Sequence, residues 1–244
     1  MKILAFDTSN NTVSVAVSEG QNILAYLEEL KPAMQAERLL PMIEKTLSNA
    51  DLTYKDIDYL GVINGPGSFT GIRAGLAAAK GILLATNIKG ASISNFNISF
   101  YRAKMQIKDY DKIVIFLNAY RNQLYTQIFY KNGAESKPAL MESSEAVELI
   151  TSTTSEIIIC AGSGLEVIYE QIKIIKNIII LPRFSRVKAF HICRYIDDFL
   201  PNYNSRIEPL YIRLPDAKIQ KKTIKKGYKG TSKLGADIFY KFTN

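Results

Sequence analysis

The stretch that decides the fold of this chain is a glycine-rich turn, Asn64-Gly65-Pro66-Gly67-Ser68-Phe69-Thr70-Gly71-Ile72-Arg73. The apolar run Ile57–Ile63 before it predicts a strand, and the run Thr70–Ala85 after it, rich in small residues, predicts a helix. A strand, a glycine-rich turn and the start of a helix can together present backbone N–H groups to an anion. Ser68 is a good candidate for the helix N-cap. The turn is therefore either a phosphate-binding loop or a rigid connection between strand and helix.

Two common phosphate-binding motifs do not fit this turn. After Gly65, a Walker A loop would need its second glycine at position 70, followed by lysine, but the residue there is Thr70 and no lysine follows. The dinucleotide-binding fingerprint also needs a glycine at position 70, whereas the third glycine of this chain is Gly71.

The predicted helix after the turn also has two interpretations. Small residues four positions apart, Gly71, Gly75 and Ala79, would let another helix approach closely. Glycine inside a helix costs about 1 kcal/mol relative to alanine, so several of them indicate a packing purpose. The alternative is that this helix, like the apolar first helix Ala33–Asn49, simply covers a sheet.

Further elements along the chain suggest a duplicated fold. Each half begins with strands that can form a hairpin and continues with alternating strands and helices. In the first half the other predicted elements are the strands Ile3–Phe6, Thr12–Val17, Ile23–Glu28 and Lys89–Ile93 and the helix Asn95–Met105. In the second half they are the strands Lys112–Leu117, Leu124–Tyr130, Ile157–Ala161 and Ile178–Leu181 and the helices Ser143–Ile150, Leu165–Lys176 and Ser185–Leu200. We predict an α/β protein of the actin, sugar-kinase and Hsp70 (ASKHA) architecture, with two small lobes of mixed sheet flanked by helices at residues 1–105 and 106–215.

Composition narrows the class of protein further. The chain has 244 residues, 47% of them hydrophobic, which is enough for one large or two small domains with a real core. The longest apolar candidate for a membrane span, Ala74–Ala85, is too short and contains Lys80. The N-terminus runs directly into a predicted strand without a visible secretory signal. Two cysteines, Cys160 and Cys193, with no CxxC motif favour a reducing cytoplasm over a disulfide framework or a zinc site.

The net charge of +8 is concentrated at the C-terminal end. Residues 216–244 carry +6, because Asp216 and Asp237 oppose eight lysines, which leaves +2 for the rest of the chain. Such a tail either attracts a polyanion, with nucleic acid as the most plausible one, or only keeps the protein in solution. The eight lysines are at positions 218, 221, 222, 225, 226, 229, 233 and 241.

Four segments of the sequence resemble the TsaB (YeaZ) family, bacterial subunits of the machinery that makes threonylcarbamoyladenosine on tRNA. Gly65–Arg73, which reads GPGSFTGIR, is the most specific of them, and the resemblance covers roughly residues 1–215. The other three are Ile3–Ser9 (ILAFDTS), Leu39–Met42 (LLPM) and Glu208–Arg213 (EPLYIR). The Lys-rich tail lies outside the resemblance.

The resemblance implies a non-catalytic, cytoplasmic subunit that binds no cofactor of its own. It would stabilise the catalytic paralogue TsaD, which transfers threonylcarbamoyl to adenosine 37 of tRNA, and would help to dock the ATPase TsaE. The first helix and the helix after the turn would form the contact with TsaD, or with a second copy of the chain when it is alone, and the tail could contact tRNA. The residues expected in this contact are Arg38, Leu39, Met42, Ile43, Gly71, Ile72, Gly75, Leu76 and Ala79.

This chain departs from the family pattern at positions where chemistry would be expected. Gln35 stands where the family often has histidine, and Asn118-Ala119-Tyr120-Arg121 stands where it commonly has Asp-Ala-Arg. The alternative function, a stand-alone ASKHA-type nucleotide-dependent phosphotransferase, would use Asp7, Thr8 and Ser9 as a phosphate hairpin. No glycine follows Asp7 in that hairpin, and Asn118 replaces the second carboxylate that Mg²⁺ would prefer. Asp7 has a second interpretation, in which it caps a turn.

Peptidase chemistry finds little support in the sequence. A zinc peptidase usually has two histidines at helical spacing, but His191 is the only histidine of the chain. A Ser-His-Asp triad would need the same residue, and no G-x-S-x-G elbow is present.

Overall fold

The computed structural model describes residues 1–30, 34–152, 157–181, 186–199 and 206–213. They belong to one compact unit, Met1–Arg213. The lysine-rich tail, residues 216–244, lies outside the described residues.

The first sheet has five strands in the order β3-β2-β1-β4-β5. β1, β2 and β3 pair antiparallel, whereas β4 pairs parallel to β1 and β5 parallel to β4. Their bounds are Lys2–Asp7 (β1), Val13–Glu19 (β2), Asn22–Glu29 (β3), Tyr59–Gly65 (β4) and Lys89–Ser94 (β5). β1 is buried over Ile3–Asp7 because helices cover both faces of the sheet.

Helices α1, Gln35–Asn49, and α2, Phe69–Ala85, pack together on one face of this sheet. Pro41 is the seventh residue of α1, where it removes the helical hydrogen bond to the Glu37 carbonyl. A short 3₁₀ helix, Tyr54–Asp56, leads from α1 towards β4. Apolar side chains of α1, α2 and the sheet form one buried cluster around Phe6, Ile43 and Leu60.

The second sheet repeats the topology of the first. Its order is β10-β9-β6-β7-β8, with β6, β7 and β8 antiparallel and β9 and β10 joined in parallel to β6. The strands are Lys112–Asn118 (β6), Gln123–Tyr130 (β7), Ala139–Glu142 (β8), Ile158–Ala161 (β9) and Ile178–Ile180 (β10). Helices α4, Ser143–Thr151, and α5, Leu165–Ile172, cover one face, and α3, Asn95–Lys104, packs against the other. The predicted duplicated ASKHA-like fold is thus confirmed.

The last described helix, α6, Ala189–Phe199, belongs to the first sheet although it follows the second one in sequence. Ile192, Cys193 and Ile196 are buried against β1, β2 and β4. A Cβ added at Gly61 would lie 2.8 Å from Ile192 Cγ2, which shows how closely α6 approaches β4. The range 106–215 therefore contains a helix that packs in the first lobe, and the division at residue 105 stays a proposal.

The segment Arg206–Arg213, called here the C-terminal strap, connects the two sheets. The Ser92 hydroxyl of β5 donates to the Arg206 carbonyl at 2.8 Å, and Ile207 packs against the first core. Leu210 and Ile212 pack instead against the core beneath the second sheet. The strap has no helix or strand of its own, and its side chains contact both lobes.

Candidate functional site

The glycine-rich turn is built around close approaches of its backbone. Gly65 has a φ of +130°, and a Cβ there would lie 2.7 Å from the Leu210 carbonyl oxygen of the strap. The Gly65-Pro66 peptide is cis. The Ser68 hydroxyl accepts a hydrogen bond from the Gly71 N–H at 3.3 Å, so the predicted N-cap is present.

The turn and the start of α2 lie directly on the hairpin between β1 and β2. Thr8 Oγ1 donates to the Gly71 carbonyl at 2.7 Å, and the Ser68 N–H donates to the Ser9 carbonyl at 2.6 Å. A Cβ on Gly71 would overlap the Thr8 carbonyl oxygen, and one on Gly75 would lie 2.5 Å from Thr8 Oγ1. The small residues of this face of α2 therefore serve a contact within the chain.

Asp7 is fully buried at the end of β1, where its carboxylate is occupied by its own hairpin. Oδ1 accepts from the Ser9 N–H at 2.8 Å, and Oδ2 accepts from Asn10 Nδ2 at 3.3 Å. Burial raises the pKa of Asp7, which the hydrogen bonds from Ser9 and Asn10 only partly offset. A Mg²⁺ ligand must be ionised and accessible, so this arrangement favours turn capping over metal binding. Among the described residues, no group of three or more His, Cys, Asp or Glu side chains could hold a metal ion.

Asn118 occupies the matching position at the end of β6. Its side-chain amide donates to Glu166 Oε1 at 3.1 Å, and its Oδ1 accepts from the Tyr120 N–H at 2.7 Å. Tyr120, Arg121 and Asn122 follow with φ values of 59°, 54° and 61°, a left-handed turn between β6 and β7. Between Asn118 and the first hairpin lies a small open cleft. Its polar lining consists of Asn10, Gly67, Asn95, Ser99, Asn118, Ser163 and Arg186.

His191, Cys160 and Cys193 are not among the described residues that line this cleft. His191 Nδ1 accepts from the Lys188 N–H at 3.0 Å. Burial, together with the cations Arg102, Arg194 and Lys188, lowers the pKa of His191 to about 3. Burial raises the pKa of Cys160 and of Cys193 to about 12, so both are unreactive thiols at neutral pH.

The residues predicted for the partner contact lie mostly inside the chain. Arg38 is half-buried and makes a bidentate ion pair with Glu29 on β3, with Nε–Oε2 at 2.9 Å and Nη2–Oε1 at 2.5 Å. The others are no more than 5% exposed or are classed as buried glycines: Leu39, Met42, Ile43, Gly71, Ile72, Gly75, Leu76 and Ala79. These eight residues pack within the chain, so a partner contact through α1 and α2, which stays a prediction, would have to use the opposite faces of the two helices.

The outward faces of α1 and α2 carry apolar residues that the residue-by-residue prediction missed. Leu84 on α2 is 92% exposed and Leu40 on α1 is 48% exposed. Ala77 and Gly81 lie on the same side of α2, and a Cβ at Gly81 would meet nothing within 4 Å. Arg73, Ala77, Gly81 and Leu84 recur at helical spacing, so the sequence does contain the signal for a second, outward stripe.

The family model described as TsaD: tRNA N6-adenosine threonylcarbamoyltransferase matches residues 33–187. The chain belongs to this family. The match includes α1, the glycine-rich turn and α2, as well as the second sheet.

Curated relatives carry the name tRNA threonylcarbamoyladenosine biosynthesis protein TsaB. The one from Buchnera aphidicola subsp. Schizaphis graminum is 36% identical over 131 residues, 54% of this chain and 61% of the relative. The one from Haemophilus influenzae is 32% identical over 126 residues, 51% of this chain and 52% of the relative. The matched part of the chain thus spans just over half the length of these relatives. The predicted TsaB (YeaZ) family is confirmed by these sequence matches.

A solved structure supports the fold. YeaZ from Pseudomonas aeruginosa superposes with a TM-score of 0.67 at 20% identity and covers 86% of this chain and 99% of its own. At this identity the likeness concerns the fold, which is the same two-sheet arrangement. No described helix has both the length and the apolar character that a membrane crossing requires.

Proposed function

We propose that this chain is a non-catalytic, cytoplasmic subunit of the assembly that makes N6-threonylcarbamoyladenosine at position 37 of tRNA. In this proposal the chain pairs with the catalytic paralogue TsaD and helps to dock TsaE, and it forms a homodimer when alone. Membership of the family and the names of the TsaB relatives support the pathway.

The outward side of α2, with its exposed Leu84, is the observation that carries this proposal. Apolar side chains that project from packed helices without a covering element indicate a protein–protein contact. Leu84 on α2 is 92% exposed, and the neighbouring Ala77 and Gly81 have small side chains or none, so they project little from the helix. Such a surface lets the backbone of a partner helix come close to α2 while Leu84 packs beside it.

The geometry around Asp7 supports a non-catalytic role. A phosphotransferase of this architecture would need an ionised carboxylate that is free to hold Mg²⁺, whereas both oxygens of Asp7 accept hydrogen bonds from its own hairpin. At the matching position Asn118 offers a neutral amide, which is held by Glu166. The stand-alone phosphotransferase is therefore the less favoured function.

Isothermal titration calorimetry with the TsaD protein of the same organism tests the proposal. We expect the wild-type chain to bind, and we expect Leu84→Asp to weaken binding at least about tenfold because a carboxylate replaces an interface anchor. The matched control is Ile174→Asp, a change at an equally prominent residue, 79% exposed, after α5 of the second lobe. Gly75→Leu is unsuitable as a test, because its side chain would collide with Thr8 inside the fold.

Two outcomes would contradict the proposal. One is a wild-type chain that neither co-elutes with TsaD in size-exclusion chromatography nor gives a binding isotherm. The other is a Leu84→Asp variant that binds as tightly as Ile174→Asp. Light scattering of the chain alone measures whether the same face forms a homodimer.

A further inference from the structure

Arg73 is held in one orientation on the outward face of α2. Its guanidinium carbon lies 3.8 Å from the centroid of the Phe69 ring, and its Nε donates to the Tyr211 hydroxyl at 2.9 Å. The rings of Phe69 and Tyr211 lie 5.3 Å apart with an interplanar angle of 33°. One aromatic comes from the glycine-rich turn and the other from the C-terminal strap, so two distant segments meet to position this cation.

The strap that supplies Tyr211 is itself fixed. The Leu210 N–H donates to the Asn64 carbonyl at 2.8 Å, and Leu210 packs into the core below the second sheet. Arg213 Nη2 donates to Gln123 Oε1 at 2.5 Å. Tyr211 is therefore anchored on both sides, and Arg73 is ordered before any partner arrives, which avoids the entropic cost of ordering it on binding.

The Arg73 guanidinium has no carboxylate partner within the described part of the chain. Nε is the only nitrogen of this guanidinium that bonds to a described residue. In contrast, the guanidinium of Arg38 is already paired with the carboxylate of Glu29. The outer edge of the Arg73 guanidinium is thus free to donate two parallel hydrogen bonds, the geometry that matches a carboxylate.

We propose that Arg73 binds an acidic side chain, Asp or Glu, of the protein that covers the outward face of α2. This inference rests on the proposed function and adds the polar anchor of the same surface. Arg73 lies one turn from Ala77 and on the same stripe as Leu84, so the charge stands at one end of an apolar strip. Partly exposed Phe and Tyr around an arginine are the residue types that dominate protein–protein contacts.

The surroundings favour a protein carboxylate over a nucleic-acid phosphate. Lys80 is the one other exposed cation of α2, and the remaining exposed residues of this helix are Phe69, Thr70, Ala77, Gly81, Leu84 and Ala85. A phosphate backbone is bound by several cations in a row, since each neutralised phosphate contributes separately. A single clamped arginine beside apolar residues instead suits one specific ion pair at the edge of an interface.

Calorimetric titration of TsaD with four variants, at 50 and 300 mM NaCl, tests this inference. We expect Arg73→Met to weaken binding at least about tenfold. Arg73→Lys should bind with an affinity between those of Arg73→Met and the wild type, because lysine keeps the charge but cannot donate two parallel hydrogen bonds to a carboxylate. Arg73→Glu should bind more weakly than Arg73→Met through repulsion. The difference between wild type and Arg73→Met should shrink at high salt. The control is Arg194→Met, which changes another exposed arginine near an aromatic ring, Phe190 at 5.7 Å, on α6.

The outcomes separate this inference from the proposed function. Wild-type binding together with unchanged binding of Arg73→Met would overturn the inference and leave the proposed function standing. Absence of wild-type binding would overturn both. If Arg73→Met weakens tRNA binding in fluorescence anisotropy but leaves TsaD binding unchanged, the anion is a phosphate and the inference is wrong. Circular dichroism melting of each variant checks that the fold is kept.

Discussion

At the scale of single residues, the glycines of α2 differ in how much space each would leave for a side chain. Gly71 faces the Thr8 carbonyl so closely that a Cβ would overlap it, whereas the space around Gly81 is open. Both lie in α2, Gly71 in its first turn and Gly81 in its interior. Replacing each by alanine therefore compares a site limited by packing with one limited by helical preference.

We predict that Gly71→Ala lowers the free energy of unfolding by about 1–3 kcal/mol, because the hairpin must move away from α2. Gly81→Ala should raise it by about 0.5–1 kcal/mol, since alanine is the better helix former and meets no neighbour. Urea denaturation followed by circular dichroism measures both changes. Equal effects of the two substitutions would show that the contact with Thr8 carries no packing energy.

The sequence predicts what kind of residues this helix needs but not which face they serve. Gly71, Gly75 and Ala79 form one small-residue stripe, and Ala77 and Gly81 form part of another. Because α2 has small residues on several sides, their spacing in the sequence does not show which stripe faces inward and which faces outward. The inward stripe is identified only by the position of Thr8, which lies against Gly71 and Gly75 in the folded chain. The Ser68 cap, which depends on local sequence alone, could be predicted and is present.

At the scale of secondary structure elements, the strap shows how a segment without regular structure can hold two sheets together. The Leu210 backbone N–H donates a hydrogen bond to the glycine-rich turn, and the Leu210 side chain packs against the core beneath the second sheet. We predict that Leu210→Ala lowers the free energy of unfolding by about 1–3 kcal/mol through lost burial and packing.

The neighbouring Pro209 supplies the control for that prediction. Pro209 is exposed, and Pro209→Ala should change the free energy of unfolding by no more than about 0.5 kcal/mol. Urea titration with intrinsic tyrosine fluorescence reports both variants. If the two substitutions cost the same, the strap does not stabilise the described unit.

Regular elements with strong patterns could be predicted, and weakly patterned ones could not. α2 is observed over Phe69–Ala85 against the predicted Thr70–Ala85, and β2 over Val13–Glu19 against Thr12–Val17. The four-residue strand β8, Ala139–Glu142, was not predicted, because so short a run at a sheet edge has little periodicity. Helix α5 ends at Ile172, earlier than the predicted Lys176, since the apolar pattern continues into the following segment.

At the scale of the whole molecule, most of the positive charge lies at the C-terminal end of the sequence. The described unit ends at Arg213, and the +6 charge of residues 216–244 follows it in sequence. We predict that replacing the eight lysines there by glutamine weakens tRNA binding and flattens its dependence on salt, because fewer counterions are released. Fluorescence anisotropy with labelled tRNA at 50–300 mM NaCl measures both quantities.

Replacing the same eight lysines by arginine provides the control for this prediction, since it keeps the charge and the length of the tail. That variant should retain the affinity of the wild type within about threefold, because counterion release depends on charge. Unchanged tRNA binding by the glutamine variant would instead support the interpretation that the tail only aids solubility.

The return of α6 to the first sheet has a consequence for how the protein is made. Ile3, Ala5 and Ala16 are covered on one side by residues that are translated only after both sheets have been synthesised, among them Ile192 and Ile196. A nascent chain that has just completed β5 therefore exposes an apolar sheet surface on the ribosome. Its two lobes cannot mature one after the other, and the first-made part of the protein is among the last to be completed.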